Sequence, residues 1–182
     1  MQQTQQTLPL SSTTSLFIQM TALKKIKNQK LPNQKLPKKK AELSFLKVRK
    51  QSKNLKTLIK NLGNSKDTFT YFDSRSLDVL DNHLLTTLLC KNKEPIGYGH
   101  LDKDGDTIWL GICVIEKEMG NGYGKLIMNY LTSYADKHKI NLTLSVHKVN
   151  EVACHLYKKF GFKIKKENEK SYFFFRNFIE NI

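Results

Sequence analysis

The sequence predicts a mixed α/β domain of the α+β kind, and two neighbouring segments carry this prediction. Thr107 to Ile115 is largely apolar on both faces of an alternating strand, which is typical of a covered central strand. Residues 122–138 then place apolar side chains in one stripe at helical spacing. Strand and helix patterns keep alternating towards the C-terminus, so we expect a sheet with helices packed on it.

Shorter elements surround this pair. Before it, the apolar spacing predicts a strand around 43–48, a helix over 52–62, a short helix from about Ser76, and strands over 84–91 and 96–101. Glu94 and Pro95 are expected to form a turn, and Asp102 to Asp106 a hairpin connection. After it, the pattern predicts a strand over 142–146, a helix over 150–160 that stops at Gly161, and a closing hairpin from 162–164 and 172–176.

The first 40 residues differ in composition from the rest. Residues 1–60 carry fourteen Lys or Arg and one acidic residue, whereas residues 61–182 carry seventeen and fifteen. A polar pentapeptide, Asn28 to Pro32, repeats at once as Asn33 to Pro37, and such a segment buries too little surface to offset its chain entropy. We therefore predict a disordered basic tail over residues 1–40 and a folded domain over residues 41–182.

Three interpretations of this tail stay open. It is a dispensable solvated extension, a basic arm that touches nucleic acid or acidic lipid, or a mitochondrial-type transit peptide. The absence of acidic residues before Glu42 favours a transit peptide, and the absence of arginine before Arg49 argues against it. The near balance of charge in residues 61–182 argues against nucleic-acid binding by the main domain.

Composition also bounds the class of protein. No stretch approaches the ~20 apolar residues of a membrane-spanning helix, so we expect no membrane partner. Cys90, Cys113 and Cys154 match no zinc-site spacing, and an odd number of unframed cysteines suits a reducing compartment. We therefore expect a cytoplasmic protein without a metal.

The loop from Gly120 to Gly124 has the composition of an anion site. It follows the central strand and opens a helix, where first-turn N–H groups lack helical partners and the helix dipole places partial positive charge. Glycines let the backbone approach a phosphate without a Cβ in the way. The spacing fits neither a P-loop nor a dinucleotide fingerprint.

A second motif lies one strand further on, where Asn150, Ala153, Leu156, Tyr157, Gly161 and Phe162 share one amphipathic helix and its end. With Met119 to Gly124 standing where a Q/R-x-x-G-x-G/A signature would be, the chain resembles the GNAT superfamily of N-acetyltransferases from about residue 42 to 182. The resemblance implies a GNAT-like fold: a twisted, mostly antiparallel sheet of six or seven strands with helices on both faces. It also implies that acetyl-CoA is the co-substrate.

The resemblance assigns cofactor contacts to three groups of residues. Backbone groups of Ile112 to Val114 would pair with the pantetheine arm, N–H groups of the glycine loop would hold the pyrophosphate, and Asn150 would lie near the pantetheine. Met119 departs from the usual Gln or Arg, so binding would depend more on backbone donors and on Lys125. The implied cofactor-binding set is Ile112, Cys113, Val114, Met119, Gly120, Asn121, Gly122, Tyr123, Gly124, Lys125 and Asn150.

The resemblance also implies catalytic roles. Tyr157 would protonate the departing thiolate, since a phenol stays protonated at neutral pH. The positions where the family often carries a base hold Ile108, Leu110 and Ser145, none of which is a base. His100 is our candidate base, Asp102 and His147 are the other nearby candidates, and a water relay without a dedicated base also stays open. On the substrate side, the polar cluster before the second strand offers Arg75 and His83.

These observations predict direct transfer of an acetyl group from acetyl-CoA to a primary amine, by a monomer or a homodimer. A small acceptor such as an amino sugar or an amine metabolite fits a domain without a strong charge field. The alternatives are a protein N-acetyltransferase, and a catalytically weak acyl-CoA-binding module whose basic arm contacts nucleic acid.

Overall fold

The computed structural model describes residues 41–49 and 52–180, and the predicted tail over residues 1–40 lies outside them. The helices are α1 (Lys53–Lys60), α2 (Tyr123–Lys137) and α3 (Glu151–Lys159), with 3-10 turns at Gly63–Asp67, Leu77–Asn82 and Glu116–Glu118. The strands are β1 (Leu43–Lys47), β2 (His83–Lys91), β3 (Glu94–Asp104), β4 (Thr107–Val114), β5 (Leu142–His147), β6 (Lys163–Glu167) and β7 (Ser171–Arg176).

The strands form one seven-stranded sheet in the order β1-β2-β3-β4-β5-β7-β6. Every neighbouring pair is antiparallel except β4 and β5, which run parallel. The connection between these two strands is α2, as a parallel crossover requires. The mixed α/β class and the mostly antiparallel sheet of the sequence-based prediction are confirmed.

Helices lie on both faces of the sheet. On one face, a Cβ at Gly97 or Gly99 would meet Ile127 of α2 at 2.7 Å, so the glycines let α2 approach closely. Because register partners point to the same side, Leu110 of β4 and Leu144 of β5 belong to this helix face too. The opposite side, which carries Tyr98, His100 and Gly111, is called the His100 face below.

Two local predictions differ from the structure in position or type. The turn between β2 and β3 lies at Asn92 and Lys93, before the predicted Glu94 and Pro95, and both residues have positive φ, 51° and 72°. Such two-residue turns match the right-handed twist of the strands they join. The short helix that starts after Ser76 is a 3-10 turn, capped by the Ser76 side chain on the Asp78 N–H.

A buried ion pair fastens the last strand to the helix layer. Arg176 of β7 donates two bonds of 2.7 Å to the carboxylate of Asp136 in α2, and its Nε donates to the carbonyl of Phe160 at 2.8 Å. The two side chains are 5% and 13% exposed. Burial acts to raise the pKa of Asp136, but the bonds from Arg176 and from the Ile179 N–H outweigh it, so the pKa is lowered.

We expect Asp136→Ala to reduce the free energy of unfolding by about 3 kcal/mol, because it leaves a buried guanidinium without its partner. Denaturant titration followed by circular dichroism measures this. The control is Lys139→Ala, whose pair with Glu180 has side chains 70% and 68% exposed and should cost less than about 1 kcal/mol. Equal losses in the two variants would contradict a structural role for the buried pair.

Candidate active site

The parallel pair β4 and β5 separates soon after it begins. Trp109 and Thr143 are its one register pair in the described chain, whereas β4 continues to Val114 and β5 to His147. Beyond that pair, the facing edges of the two strands have no strand partner. The gap between them is the place where the elements predicted to bind acetyl-CoA converge.

The hydrogen-bond ladder of β4 shows which backbone groups face the gap. Ile115 N–H donates to the Ile96 carbonyl at 2.9 Å, which fixes the phase of the antiparallel β3–β4 ladder. Because hydrogen-bonded residues alternate along such a pair, Cys113 bonds towards β3, and Ile112 and Val114 point their backbone groups towards β5. The Val114 carbonyl accepts a hydrogen bond from Ser65 Oγ at 2.8 Å. Ile112 thus presents an N–H and a carbonyl to the gap.

The glycine loop closes the end of the gap. Gly120 and Gly122 have φ of 77° and 79°, values that favour glycine, and an added Cβ at either would meet nothing within 4 Å. Gly122 caps α2 without a side-chain bond. Within the described residues, none of the N–H groups from Gly120 to Gly124 donates an intramolecular hydrogen bond. Five consecutive free donors at a helix start are an anion-binding arrangement.

The side chains around this loop hold it in shape. Asn121 Nδ2 donates to the Glu118 carbonyl at 3.2 Å, and the Glu118 carboxylate is paired with Lys91 at 2.8 Å. This pairing offsets a negative charge that would oppose a phosphate. Met119 is 52% exposed and Lys125 is exposed, so both are accessible to a ligand lying on the loop.

Helix α3 flanks the other side of the gap. Asn150 is its N-cap, and its Oδ1 accepts from the Ala153 N–H at 3.2 Å. That bond leaves the amide nitrogen of Asn150 available, and its predicted contact with the cofactor stays a prediction. A Cβ at Gly124 would lie 3.4 Å from Leu156 Cδ2, so α2 and α3 pack closely beside the loop.

Tyr157 is a buried side chain of α3. It is 7% exposed, and its ring lies 6.1 Å from those of Phe162 and Phe174. Burial raises the pKa of Tyr157, with further contributions from the nearby thiols of Cys154 and Cys113. The Tyr157 hydroxyl has no hydrogen-bond partner among the described residues and stays protonated, as a proton donor must.

The His100 side chain lies against Gly111, in the middle of β4. It is 2% exposed, and its Nδ1 has no partner within the described chain, as is also true of the Tyr98 hydroxyl. A Cβ at position 111 would overlap the His100 ring, so Gly111 is what allows the imidazole to lie against β4. Burial lowers the pKa of His100 far below its usual range, and His83 and Arg75 lower it further. The ring is therefore neutral, with a lone pair available.

A hydrogen-bonded chain holds the ring beside His100. Tyr71 OH donates to Asp102 at 2.7 Å, so His83 Nε2–H must donate to the Tyr71 oxygen at 2.7 Å and Nδ1 must accept from Thr86. Burial lowers the pKa of His83, although Asp102 opposes this. The His83 and Tyr71 rings lie 4.7 Å and 4.2 Å from that of His100. Sequence reasoning singled out His83 and His100 but missed Tyr71, which carries no motif signal.

Arg75 is the most accessible of the predicted site residues on this face. Its guanidinium lies 4.8 Å over the Tyr71 ring and donates to the Tyr71 carbonyl at 3.2 Å, and the residue is exposed. The remaining N–H groups can bind an anion. By contrast, the His83 side chain is 1% exposed and both ring nitrogens have protein partners, so its predicted contact with substrate stays a prediction.

The described residues contain neither a candidate metal site nor a candidate membrane-spanning helix. No group of three or more His, Cys, Asp or Glu side chains is placed to hold a metal ion. None of the described helices is both long and apolar enough to cross a bilayer.

The chain is similar to proteins of known structure. Three of these are a GNAT-family acetyltransferase of Streptococcus pneumoniae (21% identity, 76% of this chain and 100% of that chain, TM-score 0.58), the ribosomal-protein-S18-alanine N-acetyltransferase of Escherichia coli (15%, 77% and 96%, 0.59) and the PaiA N-acetyltransferase of Thermoplasma acidophilum in complex with coenzyme A (18%, 75% and 99%, 0.62). No curated protein matches the sequence.

The family model described as Acetyltransferase (GNAT) family matches residues 54–162, which is more than half of the chain. The matched range begins in α1 and ends directly after α3, so it contains the gap, the glycine loop and Tyr157. Free backbone donors at Ile112 and the loop fit the pantetheine and pyrophosphate of the co-substrate acetyl-CoA. This chain therefore belongs to the GNAT family and is an acetyl-CoA-dependent acyltransferase.

Proposed function

We propose that this protein transfers an acetyl group directly from acetyl-CoA to the primary amine of a small molecule. The observation that carries the proposal is Tyr157, a buried phenol on α3 beside the gap whose raised pKa keeps it protonated. It lies on the helix-face side of a gap whose opposite side carries a neutral histidine, His100. A proton donor and a proton acceptor on two sides of one gap suit an acyl transfer.

The proposed chemistry needs two proton transfers. The amine nitrogen forms a bond to the acetyl carbon, the carbon–sulfur bond breaks, the amine proton passes to His100, and Tyr157 protonates the leaving thiolate. The neutral state of the buried imidazole supports this role for His100, directly or through one water. A relay through water alone is the alternative for the base.

The residues around the candidate base support a small amine as the acceptor. Three aromatic side chains enclose the rings of Tyr98 and His100, at centroid distances of 4.2 to 6.5 Å; they are Phe69, Tyr71 and Phe72. Arg75 at the edge of this cluster stays a predicted contact of the acceptor. A cytoplasmic location and a monomeric or homodimeric state stay predictions, the first consistent with three free buried cysteines.

A thiol-release assay over a panel of amines tests the proposal, with acetyl-CoA binding measured separately by calorimetry. We expect CoA release with small primary amines and none with their N-acetylated forms. Peptide N-termini as the best acceptors would replace the small-molecule assignment by protein acetylation. Tight acetyl-CoA binding without CoA release on any amine would instead indicate an acyl-CoA-binding module.

Tyr157→Phe should lower kcat by on the order of 100-fold, because it removes the proton donor for the thiolate. Acetyl-CoA affinity should change little, since the backbone donors remain. Tyr130→Phe is the matched control: its ring stacks on Phe45 at 4.2 Å, away from the gap. Unchanged turnover in Tyr157→Phe would remove the phenol from the mechanism.

The dependence of kcat on pH tests His100. A weakly basic amine as acceptor keeps its own nitrogen unprotonated, so the acid limb reports on the enzyme. Protonated His100 cannot accept a proton, and its lowered pKa keeps the ring neutral to lower pH. We therefore expect the rate to hold through pH ~6.5, the ordinary imidazole pKa, and to fall only below it. A limb centred at pH ~6.5 or above would argue against a buried histidine as the base.

A further inference from the structure

Strand β6 carries its lysines in an unusual arrangement. Ile164 pairs with Phe174 and Lys166 with Phe173, so Lys165 is the extra residue of a β-bulge. In a regular strand Lys165 and Lys166 would point to opposite faces, whereas the bulge lets both point to one. Their ammonium groups lie over two rings of the next strand, Lys165 at 5.0 Å from Phe175 and Lys166 at 4.6 Å from Phe173.

Among the described residues, these lysines have no ionic partner. The described chain pairs Lys91, Lys139, Lys148 and Arg176 with carboxylates, but forms no such pair with Lys163, Lys165 or Lys166. All three are exposed, and the two phenylalanine rings beneath them are partly exposed. The surface formed by Ser145, Lys163, Lys165, Lys166, Phe173 and Phe175 is called the lysine–aromatic surface.

The lysine–aromatic surface is on the His100 face. Register partners run across the sheet from Asp102 through Trp109, Thr143 and Phe175 to Lys163, and partners in adjacent strands point to the same side. A second row joins Ser145, Phe173 and Lys166. With strands about 4.8 Å apart, β6 lies about 10 Å from the β5 edge of the gap. The lysines thus stand about 10 Å from the β5 edge of the gap, and an acceptor must span that distance and part of the gap as well.

We propose that the lysine–aromatic surface binds the anionic end of the acceptor, and that the acceptor is a small amine bearing phosphate. This inference rests on the proposed function and narrows its substrate class. Three unpaired ammonium groups on one five-residue strand match a compact dianion better than the spaced carboxylates of an acidic peptide. The partly exposed rings can pack on a sugar or a planar group next to the phosphate.

A substrate series tests the required length. We expect ω-amino alkyl phosphates to exceed ω-amino alcohols of equal chain length in kcat/KM by about tenfold once the chain spans the distance from the gap to β6. The advantage should shrink as salt is added, because the lysines are exposed. Equal kcat/KM within every pair would overturn the inference while leaving the amine acetyltransferase intact. A better acceptor among acidic peptides would overturn both the inference and the small-molecule assignment.

The variant Lys165→Gln/Lys166→Gln should abolish the phosphate advantage and leave kcat/KM for the neutral amino alcohols unchanged. The matched control is Lys56→Gln/Lys60→Gln, which removes two exposed charges from α1. A retained advantage in the β6 variant, or an equal loss in the α1 control, would overturn the assignment of the site.

Binding can be read without turnover. Trp109 is the sole tryptophan of the sequence and belongs to the row that ends at Lys163. Titration with an ω-amino alkyl phosphate should change its fluorescence saturably in the native protein and in the α1 control, but far less in the β6 variant. Saturable binding with no CoA release on any amine would support the anion site and refute the proposed reaction. No saturable response would overturn the inference itself.

Discussion

The early separation of β4 from β5 is the constraint on which the rest of the site depends. Two parallel strands that stayed paired would consume the backbone groups of Ile112 and leave no room between them. Instead the two strands share a single register pair in the described chain, Trp109 with Thr143. Backbone donors and acceptors left unpaired inside a domain need partners. An extended ligand with amide groups meets that need as an added strand would.

The position of α2 follows from the same geometry. The chain leaves β4 at the end of the gap and turns into the helix through two glycines with positive φ, so the unbonded N–H groups of the loop gather there. Glycines in β3 let α2 settle against the sheet, and Gly124 lets α3 settle against α2. The anion site and the packing of the helix layer therefore use the same short stretch of backbone.

Local patterns predicted much of this arrangement from the sequence. The apolar run of β4, the glycine loop and the apolar stripe of α3 each occupy one continuous segment of the sequence. Residue periodicity and glycine content are therefore enough to predict them. The hydrogen-bonded network Asp102–Tyr71–His83 could not be predicted in this way, because it joins residues that are 12 and 31 positions apart in the sequence. The bulge at Lys165 was equally hidden, since only the pairing with β7 shows that two adjacent lysines share a face.

The location of Cys113 bears on whether the acetyl group passes through the enzyme. Its thiol is the one that β4 places beside the gap, and an acetylated cysteine would be the route to a covalent intermediate. Burial raises the pKa of Cys113, and the backbone bond at Tyr98 offsets this only in part. A thiol that stays protonated is a weak nucleophile. Direct attack by the amine from the His100 face is therefore favoured over a two-step transfer through Cys113.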